Sequence, residues 1–263
     1  MKKIILFLAL LHFCILQSQT TKINASVVKV KFVQADNFIG EDALGFSYYV
    51  KDSNFIKLKN TENWQYTNIA LGKIKSVDIQ NPLKIVIFYE NFNCVVILDN
   101  QLNEIKNINF SLENQEIVAS AIGISSQGNL WVFNSTNMQL GLYNYESEVY
   151  KKIGLPFDKK IKNYASNFNT FYWIDENNNF YSCDIFGKVK LLAQIPAYNS
   201  IYIENENTVV FENQNILYLQ DISKSKTYEI EISEKTFKNF QYKDQNLSIF
   251  TIKGITNYKI NLP

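Results

Sequence analysis

Five consecutive side chains that carry oxygen, Asp175-Glu176-Asn177-Asn178-Asn179, form the first candidate for chemistry, because hard oxygen ligands at alternate positions suit a calcium ion. A calcium loop of that kind wants glycine sixth and a carboxylate twelfth. Counted from Asp175, those places hold Phe180 and Phe186, and a hairpin turn between strands accounts for the same residues. Carboxylates also work in pairs, as in glycosidases, and Glu41, Asp42, Asp78 and Glu204 fall near expected loops or strand ends, where each reads equally well as a solvated loop residue. Serines are present without a histidine or a nucleophile-elbow motif to activate them. Cys94 and Cys183 sit in expected strands of different repeats, show no zinc spacing, and read as two isolated buried thiols. No catalytic residue, cofactor-binding residue or metal ligand is assigned.

Absences constrain function further. The single histidine is His12, and all 26 basic residues are lysine. If residues 1–18 are removed as a leader, histidine triads, histidine-ligated metals and arginine clamps are excluded. A sialidase-type site fails for want of arginine. Without Lys2 and Lys3, the formal net charge of +1 becomes −1, and a near-neutral chain with scattered lysines has no nucleic-acid footprint. The remaining signal is aromatic. Phe38, Phe92, Tyr145, Phe157, Phe186 and Tyr198 all fall in expected loops or turns, the pattern of rings that meet a protein partner, although loops folded back over a core produce it too.

The elements that must position these residues are short strands. Residues 1–18 stand apart: Lys2 and Lys3 precede the apolar run from Ile4 to Leu16, and Ser18 is a small residue before Gln19, which together predict a cleaved signal peptide and export to the periplasm or beyond. His12 and Phe13 ahead of Cys14 argue against a lipidation site. Ser26 to Gln34 alternates, with Val28, Val30 and Phe32 on one side and Lys29 and Lys31 on the other, which predicts a half-buried strand. Ala35 to Asp42 reads as a loop. From there, apolar β-branched and aromatic runs are divided by turns rich in asparagine, of which the chain has 33 against 9 glycines. Leu83 to Phe110 is the clearest unit, with three strands broken at Glu90–Asn93 and Asp99–Gln101. No segment shows sustained helical periodicity with caps.

Anchoring each unit on the aromatic near the end of its second strand picks out Tyr49, Phe88, Phe133, Trp173, Phe211 and Phe250, at intervals of 39, 45, 40, 38 and 39. Four short strands at a period near forty predict an all-β, six-bladed β-propeller of four-stranded antiparallel blades over residues 19–263. The last unit lacks an outer strand and Ser26–Gln34 is left over, so the N-terminal strand is expected to complete that blade and close the ring.

Tyr172-Trp173-Ile174-Asp175 resembles the YWTD signature of six-bladed propellers in lipoprotein-receptor-like proteins, with Ile174 in place of threonine and a single occurrence. The lysine-, asparagine- and isoleucine-rich composition, with Gln17-Ser18-Gln19 at the expected cleavage site, resembles envelope proteins of the Bacteroidota. In that group, a soluble propeller of this size is similar to the plug subunit of the type 9 secretion system translocon. The resemblance implies a periplasmic plug or accessory subunit that closes a large outer-membrane barrel and binds it through loops. The reading is therefore a non-enzymatic protein-protein interaction module with no cofactor. A propeller hydrolase or lyase using carboxylates or a metal in the central channel is one alternative, and a carbohydrate-binding module is another.

Overall fold

Runs such as Ile85–Tyr89 and Cys94–Leu98 are buried at every residue, not at every second one. A strand apolar on both faces must have a neighbouring layer on each side, and the chain supplies those layers by repeating one antiparallel meander. The computed structural model describes residues 21–42, 44–113 and 116–263. The expected signal peptide lies outside the described residues.

The first sheet is β2 (Asn37–Glu41), β3 (Ser47–Lys51), β4 (Asn54–Lys59) and β5 (Glu62–Tyr66). The second is β6 (Ser76–Asp78), β7 (Ile85–Tyr89), β8 (Cys94–Leu98) and β9 (Glu104–Asn109). The third is β10 (Ala119–Ile124), β11 (Asn129–Asn134), β12 (Gln139–Asn144) and β13 (Val149–Lys152). The fourth is β14 (Ile161–Ser166), β15 (Thr170–Asp175), β16 (Asn179–Asp184) and β17 (Val189–Gln194). Two further meanders follow: β18 (Ser200–Ile203), β19 (Thr208–Asn213), β20 (Ile216–Asp221) and β21 (Lys226–Glu231), then β22 (Asn239–Lys243), β23 (Asn246–Thr251) and β24 (Gly254–Ile260). All six aromatic anchors lie on the second strand of their units.

The N-terminal strand β1 (Thr21–Lys31) joins the last two meanders into one eight-stranded sheet. Its first four residues run parallel to β21, and Ala25 to Lys31 run antiparallel to β24, with a register shift between Val27 and Lys29. At 11 residues, β1 is long enough to cross from one meander to the next. Two expectations are corrected here. Val28, Val30 and Phe32 are exposed, at 67, 68 and 76%, because Lys31 takes the inner position, its Nζ bonded to Glu41 Oε1 and lying 2.9 Å from Ser47 Oγ. The stretch around Phe38 is the strand β2 and not a loop, and a register shift between Phe38 and Gly40 is what breaks its alternation.

Turns are closed by two devices. Asp52-Ser53, Gln214-Asn215 and Asp244-Gln245 carry paired positive φ values of 50 and 65°, 54 and 64°, and 50 and 63°, the backbone twist that a two-residue hairpin needs. Elsewhere an aspartate closes the loop. Asp42, Asp99, Asp175 and Asp184 each accept the backbone N–H groups two and four residues ahead on one carboxylate oxygen, at 2.8 to 3.0 Å. The only α-helix among the described residues is the single turn Phe110–Glu113.

Candidate functional site

The first strand of each unit is where the sheets converge: β6 meets β10, β10 meets β14, β14 meets β18, β18 meets β22, and β22 meets β2. These strands are short and carry small residues at the points of closest approach. A Cβ on Gly123 would lie 2.0 Å from Ser166 Oγ and 3.4 Å from Asp78 Oδ2, so residues of the second, third and fourth sheets meet there.

Asp78 is the acid of that meeting point. Its Oδ2 accepts the Ile124 N–H at 2.8 Å and its Oδ1 the Gln80 N–H at 2.9 Å. Gln80 Nε2 in turn donates to the Ser166 carbonyl. One step away, Tyr164 OH lies 3.2 Å from Ser76 Oγ and accepts the Ile122 N–H at 3.3 Å. Burial pushes the Asp78 carboxyl above the usual carboxylate range, and those hydrogen bonds pull against the shift. Across from it, Tyr202 is pushed up to about 12 by burial, with the charges of Glu204, Asp78 and Asp244 acting in the same direction. Glu204, also raised by burial, accepts the Asp244 N–H at 2.7 Å and so links β18 to the turn after β22.

The four carboxylates expected as a possible acid-base set therefore serve separate structural bonds. Glu41 binds Lys31, Ser47 and, at 3.3 Å, Asn257, tying the first sheet to β1 and β24. Asp42 closes its loop and accepts Tyr48 OH at 2.8 Å. Asp175 of the asparagine-rich run closes a hairpin and is 2% exposed. Among the described residues, no group of three or more histidine, cysteine or acidic side chains is placed to hold a metal. Cys94 and Cys183 are free and buried, and burial pushes their thiols up to about 11 and about 12.

The six rings singled out in the sequence divide by burial. Phe38 is 1% exposed and packs with Val33, Ala35, Phe250 and Ile255. Tyr145 is buried with its OH 2.7 Å from Lys84 Nζ, and Tyr198 is buried with its OH 2.7 Å from Asn163 Oδ1. Phe157 is half-buried and stacks on Trp173, with ring centroids 4.1 Å apart. All four were expected in loops or turns; Phe38 lies instead on β2, while Tyr145, Phe157 and Tyr198 lie in connections folded back over the core, the alternative given for this pattern. Phe92 and Phe186 are exposed, at 48 and 87%.

The sequence reading missed Lys57, which is 3% exposed. Its Nζ donates to the Asn100 carbonyl at 2.7 Å and lies 4.3, 5.3 and 5.8 Å from the ring centroids of Phe46, Trp64 and Tyr48. Burial lowers its pKa. The only signal was its place in Phe55-Ile56-Lys57-Leu58, two residues from a core phenylalanine on the same strand face.

No protein-family profile matches the chain, and no curated protein matches it. Solved structures do. A catalytically inactive virginiamycin B lyase from Staphylococcus aureus with quinupristin, carrying a histidine-to-alanine change, aligns at TM-score 0.60 and 12% identity over 95% of this chain and 97% of its own. The β-propeller domain of Cps50 (Swd1) from Myceliophteria thermophila aligns at TM-score 0.60 and 9% identity over 90 and 100%. YCF48 bound to D1 peptide aligns at 0.54 and 10% identity over 94 and 95%. The fold is a β-propeller. At these identities the likeness reaches no further than the fold.

Proposed function

We propose that this propeller is a non-enzymatic protein-binding module of six blades, closed by its N-terminal strand, exported by a cleaved signal peptide and acting as a periplasmic plug or accessory subunit of an outer-membrane translocon. The observation that carries the non-enzymatic reading is the use made of the inner acids: Asp78 joins the second sheet to the third, and Glu204 joins β18 to the turn after β22, each through a backbone N–H group, so both carboxylates are taken up in holding the fold. A rigid disc held this way suits steric closure of a channel, with exposed loops and rims making the contacts. The peptide held by YCF48 is a precedent for binding by this fold. The lyase likeness favours the enzyme reading less, since that lyase is inactive once a histidine is replaced, and the described residues here contain none.

The test is purification of the tagged protein from native envelopes. A very large outer-membrane barrel in the eluate, together with a mature N-terminus at Gln19 by mass spectrometry, supports the proposal. An eluate without such a barrel removes the translocon reading, and an intact N-terminus in the cytosolic fraction removes export.

A further inference from the structure

The outermost strand of a sheet has one edge without a neighbour, and its exposed side chains decide whether another strand can add there. Charged residues stand along β5, β9, β13 and β17, among them Glu62, Glu104, Lys152 and Lys190, and none of these strands exposes more than two apolar residues. The strand β1 differs. Ala25 to Lys31 pair with β24 on one side, while on the other side β21 ends at Glu231, just past the last pairing, Asn24 with Glu231. Among the described residues no strand continues along that second side, so the backbone N–H and C=O groups directed there face no partner strand.

The side chains beside this edge are bare as well. Ser26 to Val30 are exposed without interruption, so neither face of that length is covered, and three of the five are valine. Val27 and Val30 stand opposite Tyr258 and Thr256 of β24 and therefore share a face, the register shift absorbing the odd residue between them. Lysines and register shifts are the usual guards of an open edge. Here Lys31 is turned onto Glu41 and Ser47, so Lys29 and the shift beside it are the guards left. The acids of the adjoining elements are engaged: Glu229 and Glu231 with Lys22 at 3.1 and 2.9 Å, Glu41 with Lys31, Glu234 with Ser233 and Tyr258, and Asp36 with the Asp52 N–H at 2.8 Å.

The edge itself names the occupant. A row of backbone donors and acceptors at strand spacing is matched by another extended backbone, which is how sheet edges recognise peptides. A second copy of this chain fits poorly, because β1 carries Lys22, Lys29 and Lys31 and no acid, and edge-to-edge pairing of two copies sets like charges across from one another. Resting on the protein-binding reading above, we infer that β1 takes up an extended segment of a protein partner as an added strand, its backbone paired along Ala25 to Lys31 and its apolar side chains laid against Val27 and Val30.

The probe is a display library of random peptides of about ten residues, panned on the full chain. Enriched peptides are expected to alternate with period two and to favour β-branched and aromatic residues. Backbone pairing has its own signature, because a strand turns alternate N–H groups toward its neighbour. N-methylation at every second residue should weaken a peptide about tenfold or more in one phase and little in the other, read by fluorescence anisotropy. Val27→Lys and Val30→Lys each add a guard at an exposed position and should cost severalfold in affinity; unchanged melting confirms that both fold. No enrichment, the same response to both methylation phases, or undiminished binding to both variants overturns the added strand. So does a dimer of the wild type that Val30→Lys abolishes, since a second copy would then hold the edge. Barrel co-purification that persists in Val27→Lys/Val30→Lys discards the edge while leaving the module function standing. Phase-dependent peptide binding with no barrel in the eluate keeps the edge and removes only the translocon reading.

Discussion

Lys57 shows how a charged side chain can serve as core. Its ammonium lies over the rings of Phe46, Tyr48 and Trp64 and has one carbonyl partner, while the whole side chain is buried. Removing the stem should cost more than removing the charge. Lys57→Ala is expected to lose about 2–4 kcal/mol in urea denaturation, in the range of large-to-small core changes, whereas Lys57→Met should stay within about 1.5 kcal/mol of wild type. Equal losses would mean that the charge, not the packing, matters. The thiols give a second expectation at this scale. With their ionisation pushed up by burial, Cys94 and Cys183 should resist iodoacetamide at pH 8 in the folded chain and react only after unfolding; labelling of either in the native state, read by mass spectrometry, would contradict the placement. The cysteine burial was legible in the sequence, since each lies inside an apolar strand. Lys57 was not, because nothing in one chain segment announces that three rings from adjoining segments will surround an ammonium.

Among elements, β1 carries the most constraint. Gly254 at φ +126° lets β24 start against it: a Cβ there would meet the Lys31 carbonyl at 2.1 Å and Val33 N at 2.9 Å, both backbone atoms that cannot turn aside. Gly254→Ala should therefore lower the melting temperature, with a cost on the order of 1–3 kcal/mol, while Gly45→Ala, where nothing lies within 4 Å, should cost less. An equal effect at both positions would show that the contact is unimportant. The strands themselves were readable, because burial on two faces writes continuous apolar runs into strands such as β7, β8, β11 and β15, and asparagine and aspartate mark the turns between. Phe38 was misread because the shift after it hides the alternation. Tyr145 and Tyr198 were placed in their loops, but the choice between a partner contact and a loop folded back was not legible, because Lys84 and Asn163, to which they bond, are 61 and 35 residues away. The outward side of β1 was misread because Lys31 finds Glu41 and Ser47 in another sheet.

At the scale of the whole molecule, Asp78 ties three sheets through Ile124 and Gln80. Its folded-state pKa is raised by burial, so the folded chain keeps a proton over a range where the unfolded chain has lost it. The sign follows: Asp78 disfavours folding increasingly as pH climbs from the ordinary carboxylate value through the raised one, and the penalty is complete above it. The difference in urea midpoint between wild type and Asp78→Asn should accordingly move against wild type as pH rises above about 4, the ordinary carboxylate value. A flat difference would mean that the hydrogen bonds fully offset burial. The forty-residue period was legible because every sheet solves the same packing problem; the contacts at the axis were not, because each joins residues of different repeats.

The pairing of β1 with β24 also sets a timetable for assembly. Lys31 and its partner Ile255 are separated by 224 positions in the chain. Pairing across so long a stretch must first meet the entropy of closing that loop, so β1 gains this partner late in folding. Until then its hydrogen-bonding edge is open, the kind of strand that a neighbouring chain can capture. The strand that joins the last two meanders is thus open to misassembly until β24 is in place beside it.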